Sequence, residues 1–385
     1  MKQAPALRLT EMALMERSRT GRRFAVYRML IIQHLLEDTE EFIRLLNRYE
    51  GTPAHVLGIA YSSRSDVYAR LKSSGISVEV PLFAELPKVV AGWLTMACEG
   101  GVSPESSGIL IHEVGGYCAN WIAQNTDLAA KRIVGVVEET RQGLWRYMDA
   151  RPSVPVLQIA NSKLKTAEHR YVGESVALGV QSDLEALGRN IRDARILVLG
   201  FGGVGSGVAR QLVLLGAKVT CFDCDAARML EAHVLDFRIG NREREMSIAD
   251  VIVGASGTQS INRSDLRLLK DGVLLVSASS RDIEFPVEEL SGICDECAKI
   301  THYVVEYRMP WSKRINLSTE GFPINFRERS LPPPIADLIF SQVVHAMGKL
   351  VDEELPPGIH SLMDRDVSRI AKQWLEIYGA TGQEP

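Results

Sequence analysis

The stretch ARILVLGFGGVGSGVARQLVLLGAKVTCFDCD, residues 194–225, decides the fold of this chain. Its apolar run at residues 196–199 is typical of a short buried strand, and residues 208–215 carry apolar side chains at helical spacing. A second apolar run ends in Asp223. Between the first run and the helix lie the three glycines of a G-x-G-x-x-G pattern, Gly200, Gly202 and Gly205. The order of strand, glycine turn, helix, strand and acid predicts a Rossmann-type unit.

This glycine turn predicts a binding site for a dinucleotide. Gly200 allows the tight turn, Gly202 lets the backbone approach a pyrophosphate, and Gly205 lets the helix pack closely on the strand. The phosphates would lie at the helix N-terminus, where unpaired N–H groups and the helix dipole favour an anion. Asp223 follows Gly205 by 18 residues, about the spacing at which an acid meets a ribose 2′-hydroxyl. Because that acid repels a 2′-phosphate, the sequence predicts NAD rather than NADP as the cofactor.

Composition places the chain among ordinary globular proteins of two or three domains. Of its 385 residues 46% are hydrophobic, and its net charge of −4 gives it no basic excess with which to attract nucleic acid. No apolar run reaches the roughly 18 residues of a membrane span, and the N-terminal segment lacks the apolar core of a signal peptide. We therefore expect a cytoplasmic protein that has neither nucleic acid nor a membrane as its partner.

Six cysteines in a chain of this length do not indicate a disulfide scaffold. They include two C-x-x-C pairs, Cys221 with Cys224 and Cys294 with Cys297, and four thiolates can in principle hold zinc. The first pair brackets Asp223 and is explained as small residues at a strand end. The second pair has the pattern of an exposed loop and is the better metal candidate. Our expectation is nevertheless that the chain holds no metal.

The N-terminal half alternates helical and strand patterns, which predicts a second α/β layer structure. Residues 24–49 carry apolar positions at helical spacing and are predicted to form one or two amphipathic helices that include His34. Four apolar runs are predicted as strands, at residues 55–61, 110–113, 133–137 and 154–160. In such sheets ligands bind at the carboxyl ends of the strands. Polar side chains lie there, among them Glu113, Glu139 and the segment 161–169.

Beyond the glycine turn, residues 249–253 and 272–277 are predicted as later strands of the nucleotide-binding sheet. Small residues follow both strands, and Gly257 would leave room there for the cofactor. The prolines of residues 331–334 disfavour regular helix and predict a linker. Helical patterns follow it at residues 335–351 and 362–378.

The predicted fold class is α/β, with a Rossmann-type doubly wound parallel sheet inserted into an α/β substrate-binding domain. The NAD-binding domain would span residues 173–329. The substrate-binding domain would combine residues 1–172 with residues 330–385.

Six segments, in this order along the chain, resemble the S-adenosylhomocysteine hydrolase family. They are GVVEET at 135–140, VPVLQIANSKLKTAEHRYVGES at 154–175, LGFGGVGSG at 199–207, ADVIVGASG at 249–257, RDIEF at 281–285 and TEGFPIN at 319–325. The resemblance runs over most of residues 24–351, and the segments are specific together although none is specific alone. It implies an N-terminal substrate domain, an inserted NAD-binding domain and a C-terminal return to the first domain.

In that family a resident NAD oxidises the 3′-hydroxyl of a nucleoside thioether. The ketone acidifies the neighbouring C4′–H, homocysteine is eliminated, water adds, and the ketone is reduced again. The resemblance therefore implies an NAD-dependent hydrolase of S-adenosylhomocysteine or a related nucleoside thioether, and a homo-oligomer. Such chemistry needs a base near the 3′-hydroxyl and groups that polarise its oxygen.

The resemblance also implies catalytic residues. Glu139 and Lys165 match the family's glutamate and lysine near the ribose, and His34 aligns with a family histidine. His169 replaces a family aspartate and can act as an acid or base, because the ordinary pKa of histidine lies near neutrality. Each residue also has a purely structural interpretation: a helix-start acid, a solvated lysine, a core histidine and a surface histidine, respectively.

Further residues are implied at the cofactor. Thr140 matches a threonine on the nicotinamide side, Asn325 matches an asparagine near the carboxamide, and Asp223 matches the acid at the adenosine ribose. These residues join Gly257 and the three glycines of the turn as the predicted NAD-binding set.

The chain departs from the family mainly where the substrate would bind. The departures are Glu113-Val114 for a pair of aspartates, His169-Arg170 for an aspartate and an asparagine, Arg141-Gln142 for two threonines, and Ser280 for a histidine. The cofactor residues are thus better retained than the substrate residues. Two alternatives to the hydrolase therefore stay open: an NAD-dependent oxidoreductase with exchangeable cofactor, and a catalytically inactive NAD-binding regulatory protein.

Overall fold

The computed structural model describes residues 6–20, 23–51, 54–100, 107–327 and 331–379. The helices are α1 (Arg8–Thr20), α2 (Glu37–Glu50), α3 (Ser65–Ser73), α4 (Leu86–Glu99), α5 (Ala119–Gln124), α6 (Thr126–Arg132), α7 (Arg141–Ala150), α8 (Ala167–Ala186), α9 (Gly203–Leu214), α10 (Ala226–Val234), α11 (Arg242–Ile248), α12 (Val287–Ile293), α13 (Pro333–Asp352) and α14 (Asp364–Tyr378). The strands are β1 (Arg28–Gln33), β2 (Ala54–Gly58), β3 (Ser77–Glu79), β4 (Ile109–Glu113), β5 (Ile133–Glu138), β6 (Pro155–Gln158), β7 (Arg195–Leu199), β8 (Lys218–Phe222), β9 (Arg238–Ile239), β10 (Val251–Gly254), β11 (Val273–Ser277), β12 (Glu296–Lys299), β13 (Val304–Met309), β14 (Lys313–Ser318) and β15 (Gly358–Ser361).

The chain folds as two compact units, residues 1–166 with 332–385 and residues 167–331. The predicted boundary after residue 172 falls inside α8, which belongs whole to the second unit. The reason is close packing between α8 and α9, because a Cβ added to Gly173 would lie 2.4 Å from the backbone of Gly207. The other predicted boundary, at residue 330, lies outside the described residues.

The first unit is built on a parallel seven-stranded sheet in the order β15-β6-β5-β4-β1-β2-β3. The chain runs outward from β1 through β2 to β3, then crosses to β4 on the other side of β1 and continues through β5 and β6. The strand order therefore reverses between β1 and β4. In open parallel sheets, ligands bind at such a point, beside the carboxyl ends of the strands.

Strand β1 corrects the predicted helix over residues 24–49. The second half of that segment is helical, as α2, but its first half contains the central strand of the sheet. The side chains of residues 29–32 are apolar without interruption and wholly buried. Strands covered on both faces lose the alternating pattern, so a short apolar run does not separate them from helix. His34 consequently follows a strand and does not lie in a helix.

The second unit contains an eight-stranded sheet in the order β12-β13-β14-β11-β10-β7-β8-β9. Strands β14, β11, β10, β7, β8 and β9 are mutually parallel, while β12, β13 and β14 form an antiparallel edge. The predicted strands at 196–199, 249–253 and 272–277 are confirmed as β7, β10 and β11. The order reverses between β7 and β10, so the glycine turn that follows β7 lies at this reversal.

The prolines of residues 331–334 begin a helix, which corrects the predicted linker. Pro332 is the N-cap of α13, and the next two prolines occupy its first turn. A proline is tolerated there because the missing N–H would have no partner in the helix and the fixed φ suits it. Among the described helices, none is both long and apolar enough to cross a membrane.

Candidate functional site

The glycine turn forms a tight backbone cradle between β7 and α9. Gly200 has a φ of +100°, and a Cβ there would lie 2.5 Å from the carbonyl oxygen of Ala255, so the turn requires glycine. A Cβ on Gly205 would lie 2.0 Å from the oxygen of Gly200. Gly202 is the N-cap of α9, whose first N–H groups cannot find acceptors within the helix. The cradle therefore fits an anion such as a pyrophosphate.

Asp223 is fixed beside this cradle at the end of β8. Its Oδ2 accepts a hydrogen bond from the N–H of Phe201 at 2.7 Å, and its Oδ1 accepts one from Asp225 N–H at 2.9 Å. Each carboxylate oxygen has a second lone pair that can accept from a sugar hydroxyl. The residues present therefore fit a dinucleotide whose ribose carries no 2′-phosphate.

The loop after β10 contains Gly257 and is held by the buried carboxyl group of Glu284. Glu284 accepts hydrogen bonds from Gly257 N–H at 2.8 Å, from the hydroxyl of Ser256 at 2.8 Å and from the hydroxyl of Ser279. Burial raises the pKa of Glu284 above its ordinary value. These bonds fix the loop beside the glycine turn, since the loop residue Ala255 is the one that Gly200 contacts.

Asn325 lies in a short 3-10 helix near the carboxyl end of β11. Pro323 forms an isolated parallel bridge with Ser277, the last residue of that strand. Two residues after Asn325, Arg327 makes a buried ion pair with Asp183 of α8 at 2.6 Å. These contacts hold the buried Asn325 within the second unit.

His169 lies on α8, against the first residue of α9. A Cβ added to Gly203 would lie 2.1 Å from the imidazole Cε1 of His169, so the ring packs on the glycine turn. The structure thus places this predicted acid or base in the second unit, beside the backbone cradle.

In the first unit, the strand ends at the order reversal bring polar side chains around Glu139. Its Oε1 accepts hydrogen bonds from Gln33 Nε2 at 2.7 Å and from His112 Nε2 at 2.5 Å. Its Oε2 lies 4.0 Å from Lys165 Nζ. We call Gln33, His34, His112, Glu139 and Lys165 the Glu139 cluster. All of these side chains are buried except that of His34, which is half-buried.

The sheet explains why these residues meet. Gln33 ends β1, and His112 is the fourth residue of the adjacent strand β4. Glu139 directly follows β5, which pairs with β4 on its other side. Lys165 lies in a short 3-10 helix after β6, the next strand of the sheet.

The hydrogen bonds of His34 define its tautomer. Its Nδ1 lies 2.5 Å from the hydroxyl oxygen of Ser62, and that hydroxyl donates to the carbonyl of Ile59 at 3.1 Å. Nδ1 therefore carries the proton and donates, which leaves Nε2 as an acceptor. Burial lowers the pKa of His34 to about 4, against the attraction of Glu139 and together with the repulsion from Lys165. The ring is thus neutral near pH 7.

Glu139 is ionised in spite of its burial. Burial alone would raise its pKa, but the hydrogen bond from His112 and the nearby charge of Lys165 bring that pKa below its ordinary value. The cluster therefore combines a carboxylate, an ammonium group and a neutral imidazole. Such a set can move a proton between a bound hydroxyl group and the protein.

Two other carboxyl groups at these strand ends bind backbone groups. Glu138 accepts hydrogen bonds from the N–H groups of Gly115 and Gly116, at 3.1 Å and 2.9 Å. Glu113 accepts one from Tyr117 N–H at 2.6 Å. Burial and the charge of Glu113 raise the pKa of Glu138 to about 8, and burial raises that of Glu113. Both groups thus shape the turn after β4.

Thr140 is the N-cap of α7 in the first unit. Its hydroxyl accepts a hydrogen bond from Gly143 N–H at 3.0 Å and donates to Glu138 at 2.6 Å. The hydroxyl proton is therefore used inside this unit. The contact between Thr140 and the nicotinamide stays a prediction.

The structure brings Glu139, Lys165 and His34 together, and it adds two residues that sequence reasoning missed. His112 and Gln33 both donate to Glu139. In the sequence, the only sign of these two residues was a polar side chain near the end of an otherwise apolar strand. It could not show that the two side chains converge on one carboxylate, because that depends on the strand order.

The second C-x-x-C pair does not lie in a loop as predicted. Cys294 directly follows α12, and Cys297 is exposed in the edge strand β12. Within the described part of the chain, no group of three or more His, Cys, Asp or Glu side chains is arranged to hold a metal ion.

Comparison with known families identifies the second unit. The profile of the family described as S-adenosyl-L-homocysteine hydrolase, NAD binding domain, matches residues 184–329. This range contains the glycine turn, Asp223, Gly257 and Asn325. The second unit is thus an NAD-binding domain, and NAD is its cofactor.

Individual relatives extend the similarity into the first unit. The chain is 30% identical to S-inosyl-L-homocysteine hydrolase of Methanopyrus kandleri, over 66% of this chain and 62% of the relative. It is 29% identical to adenosylhomocysteinase of Thermotoga maritima, over 65% and 63%, and 22% identical to adenosylhomocysteinase of a Nostoc species, over 92% and 84%. The matches with the first two relatives thus span about three fifths of the relatives' length. The chain is thus similar to S-adenosyl-L-homocysteine hydrolases over most of its length, and its second unit matches their NAD-binding domain.

Proposed function

We propose that this chain is an NAD-dependent hydrolase of nucleoside thioethers, acting on S-adenosylhomocysteine or a related compound by 3′-oxidation, elimination and re-reduction. The Glu139 cluster is the observation that supports this most. It lies at the strand-order reversal of the first unit, in a chain whose second unit binds NAD. A buried carboxylate beside an ammonium group suits removal of a hydroxyl proton from a sugar.

Three residues of the cluster have chemical roles in this proposal. The ammonium group of Lys165 donates a hydrogen bond to the 3′-oxygen and stabilises negative charge on it. When the 3′-hydroxyl gives its proton to Nζ of Lys165, the lysine passes one of its own protons to Oε2 of Glu139. Lys165 thus stays an ammonium group, and Glu139 holds the proton. Nε2 of the neutral His34 carries no proton, so it acts as the base that takes up a proton from the incoming water.

The cofactor residues fit the same proposal. NAD bound at the glycine turn would supply a hydride acceptor for the first step and a hydride donor for the last. The N–H groups that begin α9 would hold its pyrophosphate, and Asp223 would hold its ribose. Gly257, Thr140 and Asn325 would contact the nicotinamide half.

Because the residues around the substrate differ from those of the family, they do not indicate which nucleobase the substrate carries. Val114, where the family has a second aspartate, is buried and apolar. One relative is named for S-inosyl-L-homocysteine and two for the adenosyl compound. Both thioethers are therefore the substrates to test.

The test measures homocysteine release and the redox state of NAD together. Purified NAD-loaded protein is incubated with each thioether, and the free thiol is titrated with a chromogenic disulfide. We expect thiol release from at least one compound without net formation of NADH, and loss of this release in Glu139→Gln. If loaded protein releases no thiol from either compound, the proposal is wrong.

The two alternatives give different results in the same assay. Net accumulation of NADH with exchange of the cofactor would indicate an oxidoreductase. Firmly retained NAD without turnover of either thioether would indicate a regulatory protein.

A further inference from the structure

His112 is placed as a hydrogen-bond donor to Glu139 and contacts no solvent. Its side chain is wholly buried on β4. Its Nε2 lies 2.5 Å from Oε1 of Glu139, and its ring edge packs on Phe42 at a centroid distance of 5.5 Å and an angle of 86°. A position in an apolar central strand would ordinarily hold an apolar residue. The imidazole at this position is therefore explained by its hydrogen bond to Glu139.

The surroundings of the ring define which of its two nitrogens donates. Nδ1 of His112 is buried and has no hydrogen-bond partner among the described residues. A proton on Nδ1 would leave a charged donor unpaired in an apolar setting, which is costly. The neutral ring with its proton on Nε2 has only an unpaired acceptor. Nε2 is thus the ring nitrogen of His112 that donates to the carboxylate.

The two hydrogen-bond donors on Oε1 fix the orientation of the Glu139 carboxylate. Gln33 and His112 both bind Oε1, so the lone pairs of Oε2 are left for the Lys165 side. A carboxylate whose one oxygen is doubly bound cannot rotate without breaking both bonds. Proton exchange by Glu139 then has to occur through Oε2.

We propose that His112 is a positioning residue, which keeps Glu139 ionised and holds its Oε2 toward Lys165 for the proton transfer that starts catalysis. The proposal rests on the proposed function and deepens it. The imidazole itself touches neither substrate nor cofactor in this role. It supplies from β4 the fixed donor that makes a buried carboxylate usable as a base.

Among the described residues, the titratable groups that act most strongly on Glu139 are His112 from β4, His34 after β1 and Lys165 after β6. Burial raises the pKa of Glu139, and the hydrogen bond from His112 lowers it. Removing the His112 donor should therefore raise the pKa of Glu139. The acidic limb of the pH profile of Glu139-dependent chemistry then moves to higher pH.

The first measurement needs no substrate. Long-range ¹⁵N–¹H NMR of the histidine rings in the NAD-loaded wild-type protein reports the tautomer of His112, assigned by its loss in His112→Gln. We expect a proton on Nε2, the nitrogen that faces Glu139. An Nε2 without a proton could not donate to Glu139 and would overturn the proposal.

The second measurement is the pH dependence of NAD reduction by S-adenosyl- and S-inosyl-L-homocysteine. His112→Leu should shift the acidic limb upward by about one pH unit, since a hydrogen bond to a charged group is worth that much or more. His112→Gln, which keeps an N–H donor, should retain the wild-type limb. His233→Gln on an exposed surface of α10 is the matched control.

The outcomes separate the two proposals. An unchanged acidic limb in His112→Leu, with only a lower melting temperature, would show that the histidine is merely structural. If neither thioether reduces NAD, the proposed function fails, and ¹³C NMR titration of Glu139 in wild type and His112→Leu still decides the role of His112, because loss of the donor should raise the pKa of Glu139. Titration of Glu139 in the ordinary carboxyl range in wild type would overturn that role.

Discussion

At the scale of single residues, charge balance around Glu139 is the feature that matters most. Lys165 is nearly enclosed, and its ammonium group has the carboxylate of Glu139 at 4.0 Å. A buried charge is tolerated when such a partner is present. The same partner keeps the ammonium ready to bind a developing negative charge on a sugar oxygen.

Replacing Lys165 by Met should abolish reduction of resident NAD by the thioether substrate. We expect a loss of at least about 100-fold, the usual contribution of a positioned acid or base. The measurement is the near-ultraviolet absorbance of reduced nicotinamide after rapid mixing. Lys163→Met is the control, because Lys163 only forms an exposed ion pair with Asp364. Equal rates in the two variants would remove Lys165 from the site.

Replacing Asp223 by Ala should strip the protein of NAD, since the variant lacks the acceptor for the ribose hydroxyls. Cofactor content is measured by mass spectrometry after denaturation. Asp225→Ala is the matched control, because the Asp225 side chain caps α10 through Ala227, while the backbone N–H that Asp225 donates to Asp223 is kept in the variant. Retained NAD in Asp223→Ala would show that the ribose lies elsewhere.

His34 predicts a pH dependence of stability. Its pKa is about 4 in the folded protein against an ordinary 6.5. The unfolded chain therefore binds a proton more readily on acidification, so the stabilisation is complete above about pH 6.5 and is lost as the pH falls through about 4. Between these limits the melting temperature of His34→Gln should fall less steeply than that of wild type. His233→Gln, on an exposed position, should follow wild type, and parallel curves for His34→Gln would refute the placement.

At the scale of elements, glycines let α8 lie unusually close to α9. A Cβ on Gly207 would lie 2.4 Å from the carbonyl oxygen of His169, which is backbone and cannot yield easily. This contact fixes the helix that carries His169 against the helix that begins at the glycine turn. The packing of two elements thus sets the shape of the cofactor cradle.

Gly207→Ala should destabilise the protein by about 1–3 kcal/mol, as overpacking of a close contact does. Gly292→Ala offers the matched comparison in α12, because nothing lies within 4 Å of a Cβ there. That substitution should stabilise by up to about 1 kcal/mol through helix propensity. Denaturant unfolding measures both, and a neutral Gly207→Ala would show that the two helices are not in such close contact.

The elements also show what sequence could predict. The segment 194–225 specifies its own strand, turn and helix locally, and the structure confirms them as β7, α9 and β8. The buried run at 29–32 does not, because a strand covered on both faces has no alternation to reveal it. Pro333 was misleading for another reason, since the first turn of a helix accepts proline.

At the scale of the whole molecule, the candidate site depends on the order of the strands in the sheet, which cannot be read from a single sequence. Glu139, Lys165 and His34 could be named in advance through family resemblance. His112 and Gln33 could not, because only the placement of β4 between β1 and β5 brings their side chains to one carboxylate. The cofactor half was predictable because its residues follow one another along a local motif.

In D₂O the proposed reaction would place deuterium at a carbon of the product nucleoside that direct hydrolysis would leave unlabelled. Oxidation at C3′ stores the hydride on bound NAD and returns it to the same carbon. Elimination removes the C4′ hydrogen to solvent and replaces it with a solvent proton. The two carbons of one product thus record the two halves of the reaction.

The most direct measurement is therefore turnover of S-adenosyl- or S-inosyl-L-homocysteine in D₂O, with the product nucleoside examined by proton NMR. We predict deuterium at C4′ and none at C3′. A released nucleoside without deuterium at C4′, or with deuterium at C3′, would contradict oxidation and re-reduction by resident NAD.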